Sequence, residues 1–223
     1  MSRQRVVLSW SSGKDSAWTL HRLRQDPGIE VVALVTTVNA EFNRVAMHAV
    51  RQELLHAQAE AAGLPLIEVP IPYPCSNVEY ESRMRALIER LHGERIERMA
   101  FGDLYLADIR AYREKQLQDT GITPLFPLWN EPTAALARSM IAGGLRAVLT
   151  CVDPKQLAPD FCGRQFDADL LDTLPAGVDP CGENGEFHSY ACAGPMFRAP
   201  IAVETGETVE RDGFVFTDLR RIL

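Results

Sequence analysis

The sequence predicts an α/β fold in which helices cover both faces of a parallel sheet and a smaller, loop-rich α+β region follows. Strand and helix patterns alternate from Val6 to Asp103 as β-α-β-α-β-α-β. The second strand carries a continuous apolar run, Val31-Val32-Ala33-Leu34-Val35, of the kind found where both faces of a strand are covered. Beyond Asp153 the texture changes, with Pro154, Pro159, Pro175, Pro180 and Pro195 standing among glycines and no long periodic segment. At 223 residues and 46% hydrophobic content the chain is long enough for one good core, divided here into residues 1–128 and 129–223.

The elements follow in order. Val6-Val7-Leu8-Ser9 is a strand that passes through Trp10 into Ser11-Ser12-Gly13-Lys14-Asp15-Ser16 and then into an amphipathic helix from Ala17 to Leu23. Gly28 to Val38 is the second strand. Val50, Leu54, Ala57 and Ala61 recur at helical spacing and stop at Gly63, a helix-ending residue. Pro65 to Pro72 is a third strand, Tyr80, Met84, Leu87, Ile88 and Leu91 mark a helix, and Arg98 to Asp103 is a fourth strand. A polar helix from Asp108 to Gln118, a helix over Leu136, Met140 and Ile141, and a strand from Ala147 to Val152 complete the regular part. In the tail, Ile201 to Val209 and Phe214 to Phe216 read as small antiparallel strands, with turns at Gly206 and at Asp212-Gly213.

In a parallel sheet of this kind ligands bind at the carboxyl ends of the strands. The Ser11 to Ser16 loop, Thr36-Thr37 and Gly102-Asp103 all fall at such ends, so three distant segments are expected on one rim. A strand, a hydroxyl-rich turn and a helix aim successive backbone N–H groups at one point, and the helix adds positive partial charge. With Ser11, Ser12, Ser16 and Lys14 offering donors there, the expected ligand is a nucleotide phosphate.

The formal net charge of -7 opposes binding to nucleic acid, and the basic residues between Arg83 and Arg98 are interleaved with acidic ones as on a solvated helix face. No apolar stretch approaches ~20 residues and no signal region opens the chain, which predicts a soluble cytoplasmic protein with no membrane contact. Five scattered cysteines without a C-x-x-C pair predict reduced thiols rather than disulfides or zinc.

The loop does not fit the P-loop spacing. Asp15 follows Lys14 where a P-loop has its metal-binding Ser or Thr, and the first Gly of that spacing is missing. It resembles instead the PP-loop, S-G-G-x-D-S, of the N-type ATP pyrophosphatases, which cut ATP between the α and β phosphates. Ser12 replaces the first Gly, so the loop either keeps an ordinary φ there or accepts strain. A second constellation, Asp179-Pro180-Cys181-Gly182-Glu183-Asn184-Gly185-Glu186-Phe187-His188-Ser189, packs several ligating groups into a glycine-rich turn where Glu183, Asn184 and Glu186 can converge.

The PP-loop, Phe101-Gly102-Asp103-Leu104, and Gly182-Glu183-Asn184-Gly185-Glu186-Phe187 together resemble the diphthine-ammonia ligase family over nearly the whole chain. The resemblance implies a HUP-type first domain that binds ATP and a second domain that supplies the acceptor side of the site. It implies an adenylated carboxylate, released AMP and pyrophosphate, and an amide formed with ammonia. By the same resemblance, Ser9, Ser11, Ser12, Gly13, Lys14, Asp15, Ser16, Thr36, Thr37, His48, Gly102 and Asp103 hold ATP, and Asp15 and Asp103 hold Mg²⁺. Gly182, Glu183, Asn184, Gly185 and Glu186 face the acceptor; Lys14, Asp15, Glu183, Glu186 and His188 are the candidate catalytic set, with the two glutamates binding ammonium or taking its proton.

The eukaryotic ligases typically read G-E-G-G-E-Y-E in the second motif, whereas this chain has Asn184 and His188 at two of those positions. It also ends at Leu223, without the added modules of longer eukaryotic members, so the acceptor is expected to differ. Protein and small-molecule acceptors both stay open, as does a homodimer. No glutaminase-like nucleophile motif is evident, so free ammonia or a partner is expected to supply the nitrogen. Two other functions fit parts of the pattern: sulfur transfer to tRNA, for which Cys181 is the cysteine beside the motif, and a non-catalytic ATP sensor.

Overall fold

The central strand β1 (Gln4–Ser9) places Val6, Val7 and Leu8 in complete burial. Alternate residues of a strand point to opposite faces, so a strand buried on both needs helices above and below it. The computed structural model, which describes residues 3–39, 44–45, 50–72 and 74–222, has this arrangement. Val6 and Leu8 pack in one cluster with α1 (Lys14–Gln25) and α2 (Gln52–Ala62), through Leu20, Leu54 and Leu55. Val7 packs in the other with α3 (Asn77–Gly93) and α4 (Ala107–Leu117), through Leu87, Leu91 and Leu117.

Strand β2 (Ile29–Asn39) runs parallel to β1, with a register shift between Val6 and Val7. The short β3 (Arg44–Val45) pairs antiparallel with the end of β2, and β4 (Leu66–Ile71) pairs parallel with β2. On the other side of β1 lie β5 (Arg98–Ala100) and β6 (Thr123–Leu125), both parallel. Five parallel strands, ordered β4-β2-β1-β5-β6 with helices on both faces, form a HUP-type sheet. Gly63 ends α2 in the left-handed conformation at φ 65°, as its position after the apolar stripe predicts. The fourth expected strand is shorter than its sequence suggests: β5 stops at Ala100, and Phe101-Gly102-Asp103 turns away toward the first loop.

After α5 (Thr133–Ala142) the chain builds a second sheet from β7 (Arg146–Val152), β8 (Phe187–Ala193), β9 (Val203–Arg211) and β10 (Phe214–Arg221), antiparallel in the order β8-β7-β10-β9. The turn expected at Gly206 is absent, because β9 continues through it and pairs along β10. The Asp212-Gly213 turn is present, with φ of 54° and 80°, as a two-residue hairpin requires. Strand β8 leaves directly from the acidic motif and was not expected. Its sequence, Phe-His-Ser-Tyr-Ala-Cys-Ala, lacks β-branched residues, and its buried small side chains let it lie against the first loop.

The two sheets share one apolar cluster that reaches from β1, α1 and α2 to Leu149, Phe187 and Tyr190. Tyr190 donates its hydroxyl to the Leu54 carbonyl at 3.0 Å, joining β8 to α2. None of the helices is long and apolar enough to cross a membrane among the described residues.

Candidate active site

The first loop is held by a buried amide. Gln58 of α2, fully buried, accepts from Trp10 Nε1 at 2.9 Å and donates to the carbonyls of Ser12 at 2.9 Å and Ala191 at 2.7 Å. The Ala191 N–H donates to the same Ser12 carbonyl at 2.9 Å. Ser12 takes φ 69°, so the loop does accept strain at this position, and its hydroxyl is buried with no hydrogen-bond partner among the described residues. Strand β8 and α2 together fix a backbone conformation that the side chain alone disfavours.

Around this strained point the donors gather. Ser11 Oγ lies 3.2 Å from Ser16 Oγ, Gly13 N–H points to Ser11 Oγ at 3.4 Å, and Ser16 Oγ donates to the Gly13 carbonyl at 3.0 Å. Ser9, Ser11, Gly13, Lys14, Asp15, Ser16, Gly102, Asp103, Gly182, Glu183 and His188 all line one cavity of about 300 Å³. A second cavity of about 290 Å³ shares Ser9, Ser11, Phe101 and Arg113 with it and continues over Thr36, Thr37, Val69, Ile71, Tyr80 and Met84. A polar cradle therefore opens into a more apolar slot along the carboxyl ends of β1, β2 and β4. That sequence of surfaces suits a phosphate chain attached to a base and sugar. His48 lies outside the described residues.

Gly102 brings the end of β5 against the first loop. A Cβ there would stand 3.1 Å from the Asp15 carbonyl carbon and the Ser16 nitrogen, so only glycine permits this approach without displacing backbone. Asp15 receives the Lys14 ammonium on Oδ2 at 2.9 Å, while its Oδ1 is buried without a hydrogen-bond partner among the described residues. Asp103 Oδ2 is likewise without one; Arg113 Nε stands 3.7 Å away. Burial pushes the Asp103 carboxyl up, Arg113 opposes this, and the neighbouring Asp15 adds to it. Two unsatisfied carboxylate oxygens on one cavity wall fit the needs of Mg²⁺, which is commonly held by one or two carboxylates together with substrate phosphates. Among the described residues no cluster of three or more His, Cys, Asp or Glu side chains holds a metal alone.

Lys14, expected at the phosphates, lines this cavity, with its side chain almost wholly buried. It donates to the Cys181 carbonyl and lies 5.2 Å from the Phe187 ring centroid. Burial disfavours its charge, but Asp15 and other neighbouring acidic groups outweigh this and hold its pKa above the ordinary value. Its backbone N–H donates to Ser189 Oγ at 3.2 Å. Lys14 thus ties the first loop to the acidic motif.

In that motif Gly182 has φ 67° and a Cβ there would meet the Phe187 carbonyl at 2.8 Å, so the tight turn requires glycine. The motif's two glutamates separate in role. Glu183 lines the cavity and accepts from Leu104 N–H at 2.7 Å and Tyr105 N–H at 3.4 Å. Burial pushes its pKa up to about 7, although the Leu104 N–H pulls the other way. Glu186, expected beside it, is instead consumed by the loop: it accepts from Asp179 N–H at 2.9 Å, Asn184 N–H at 2.9 Å and Asn184 Nδ2 at 3.0 Å. Asn184 is exposed and accepts from the Tyr105 hydroxyl at 3.0 Å, outside the cavity wall. His188 does line the cavity, with its pKa lowered to about 4 by burial and then by Lys14. Its imidazole is neutral at neutral pH, able to offer or accept a hydrogen bond, where the sequence left it open as an acid or a base.

Arg113, Ser189 and the Leu104 N–H were missed by sequence reading. Arg113 sits on a helix of ordinary polar composition, and nothing in a single sequence marks one arginine of such a helix. Gln58 did leave a signal, because it lies on the apolar stripe of Val50, Leu54, Ala57 and Ala61, where a polar residue needs buried partners.

Fold and cavity together define a nucleotide-binding protein of the PP-loop class. Comparison with known families sharpens this: residues 4–124 match the diphthamide synthase N-terminal domain and residues 132–222 the diphthamide synthase C-terminal domain. The chain belongs to the diphthamide synthase family. It is 28% identical to the diphthine–ammonia ligase of Rattus norvegicus, over 92% of this chain and 85% of that protein. It is 29% identical to the Danio rerio diphthine–ammonia ligase, over 92% and 88%. The Schizosaccharomyces pombe diphthine–ammonia ligase is 26% identical over 90% of this chain, but the match covers 36% of that protein.

Proposed function

We propose that this chain is an ATP-dependent amide-forming ligase of the diphthine–ammonia ligase type, which adenylates a carboxylate and then amidates it with ammonia. One observation carries the reading: the PP-loop and Glu183, from opposite ends of the chain, line the same cavity. We assign ATP binding to residues 1–128 and the acceptor side to residues 129–223, and we place the reaction in the cytoplasm.

A carboxylate oxygen of the acceptor attacks the α-phosphorus, and pyrophosphate leaves toward Ser11, Ser16 and the Gly13 N–H. Asp15 and Asp103 are the residues that would hold Mg²⁺, which would offset phosphate charge. The nitrogen of ammonia then attacks the acyl carbon and AMP departs. Glu183 takes a proton from the ammonium or from the attacking nitrogen, a task suited to a carboxylate whose pKa stands at about 7. Lys14 and Gln58 position the loop, and His188 offers a neutral hydrogen-bonding group.

Sulfur transfer receives no support from the site. Cys181 is buried, its thiol is pushed far up by burial, and its Sγ points to the Thr133 carbonyl at 3.5 Å. The acidic cluster around Glu183 likewise exceeds what a mere ATP sensor requires.

The test is the product spectrum from Mg-ATP, ammonium and a nucleotide-depleted cell extract. AMP and pyrophosphate, lost in Ser11→Ala and Asp15→Asn, support the proposal. ADP and phosphate, or ATP binding without turnover in every condition, overturn it.

A further inference from the structure

We propose that a separate cavity, where the first turn of α2 meets β7, β9 and β10, binds the phosphoryl group of a small phosphorylated molecule. The cavity measures about 250 Å³ and shares no lining residue with the two described above. Arg51, Arg211 and Arg220 line it, against the acidic Glu207 and Asp218. Asp218 holds Arg51 through a two-point ion pair, at 3.0 Å from Nε and 2.6 Å from the terminal nitrogen, and lies 3.9 Å from Arg220 Nε. Arg211 lies 5.1 Å from the Phe216 ring centroid, which orients a second guanidinium. Among the lining residues three guanidinium groups face two carboxylates, with Asp212 3.8 Å from Arg211 Nε and Glu53 near Arg51 adding negative charge beside them.

The independent observation is Thr150. It is 4% exposed, lines this cavity, and its hydroxyl has no hydrogen-bond partner among the described residues. A buried hydroxyl without a partner is unfavourable, and a ligand oxygen would satisfy it. The first turn of α2 brings the positive end of a helix to the same place. The start of α2 and the second sheet together offer guanidinium groups and a hydroxyl, more donors than the two oxygens of a carboxylate use and suited to the three of a phosphoryl group. Leu54, Val209 and Phe216 offer apolar surface to the rest of the molecule.

The test titrates inorganic phosphate into the full chain, followed by ³¹P NMR, with the nucleotide cavity first filled by a non-hydrolysable ATP analogue. Phosphate is expected to bind in the presence of the analogue, with affinity reduced about tenfold in Arg220→Gln and several-fold in Thr150→Val. Acetate in the same titration is expected to compete weakly. The proposal is overturned if phosphate binding disappears once the analogue is bound, if acetate binds as well as phosphate, or if Arg220→Gln leaves affinity unchanged. Arg220 is 59% exposed, so its variant reports on binding even where Thr150→Val disturbs folding.

Discussion

Replacing Glu183 by Gln should make the protein more stable and far less active, a pair of effects that a merely structural glutamate would not produce. Gln keeps an oxygen for the Leu104 N–H, so the 2.7 Å hydrogen bond survives and the main loss is charge. The distance between a pKa of about 7 and the ordinary 4.5 corresponds to about 3 kcal/mol for ionising the carboxyl in the folded site. Solvent reaching the half-buried group reduces this to about 1 to 2 kcal/mol. The sign follows from linkage. Because the folded pKa is raised, the protonated group's stabilising contribution is complete below 4.5 and is lost as pH rises through about 7. At pH 8 Glu183→Gln should therefore melt roughly 2–8 °C above the parent, and the gap should shrink toward zero near pH 4. AMP release coupled to amide formation should fall by about 10²- to 10⁴-fold, and the rising limb of the parent's rate near pH 7 should vanish. Melting curves and initial rates over a pH series check both. An unchanged rate profile, or a variant that melts lower at pH 8, would refute the assignment of Glu183 as the base.

Three other changes probe separate parts of the account. Gly102→Ala places a Cβ 3.1 Å from the backbone of Asp15 and Ser16; overpacking should cost about 1–3 kcal/mol in thermal unfolding and lower AMP formation at least tenfold. Ser12→Gly relieves a φ of 69° and removes an unpartnered buried hydroxyl; denaturant titration should show a gain of about 1 kcal/mol, with ATP cleavage retained. Cys181→Ala should keep AMP formation within a few-fold of the parent, since the thiol is buried, and a complete loss of product with the fold intact would revive a sulfur-transfer chemistry.

Much of the fold was legible because it rests on local periodicity. The apolar run of β2 and the Gly63 helix end are written in consecutive residues, and the structure places both where the pattern does. The convergence of Ser11–Ser16, Thr36-Thr37 and Gly102-Asp103 was legible too, since parallel topology alone brings strand ends together. What the sequence did not carry was direction of individual side chains. Glu183 and Glu186 look alike in the motif, yet one meets the cavity while the other is absorbed by three donors of its own loop. Lys14 reads as a phosphate ligand, but its burial beside Phe187 could not be read from the loop. Strand β8 was hidden because its stability comes from pairing with β7 and from packing against α2 and the first loop, all distant in sequence.

The central claim, that a carboxylate and not water attacks the α-phosphorus, is most directly tested by running the complete reaction in H₂¹⁸O and weighing the AMP. Carboxylate attack predicts AMP without ¹⁸O, accompanied by unlabelled pyrophosphate. AMP carrying one ¹⁸O would mean hydrolysis at the α-phosphorus and would contradict the ligase mechanism.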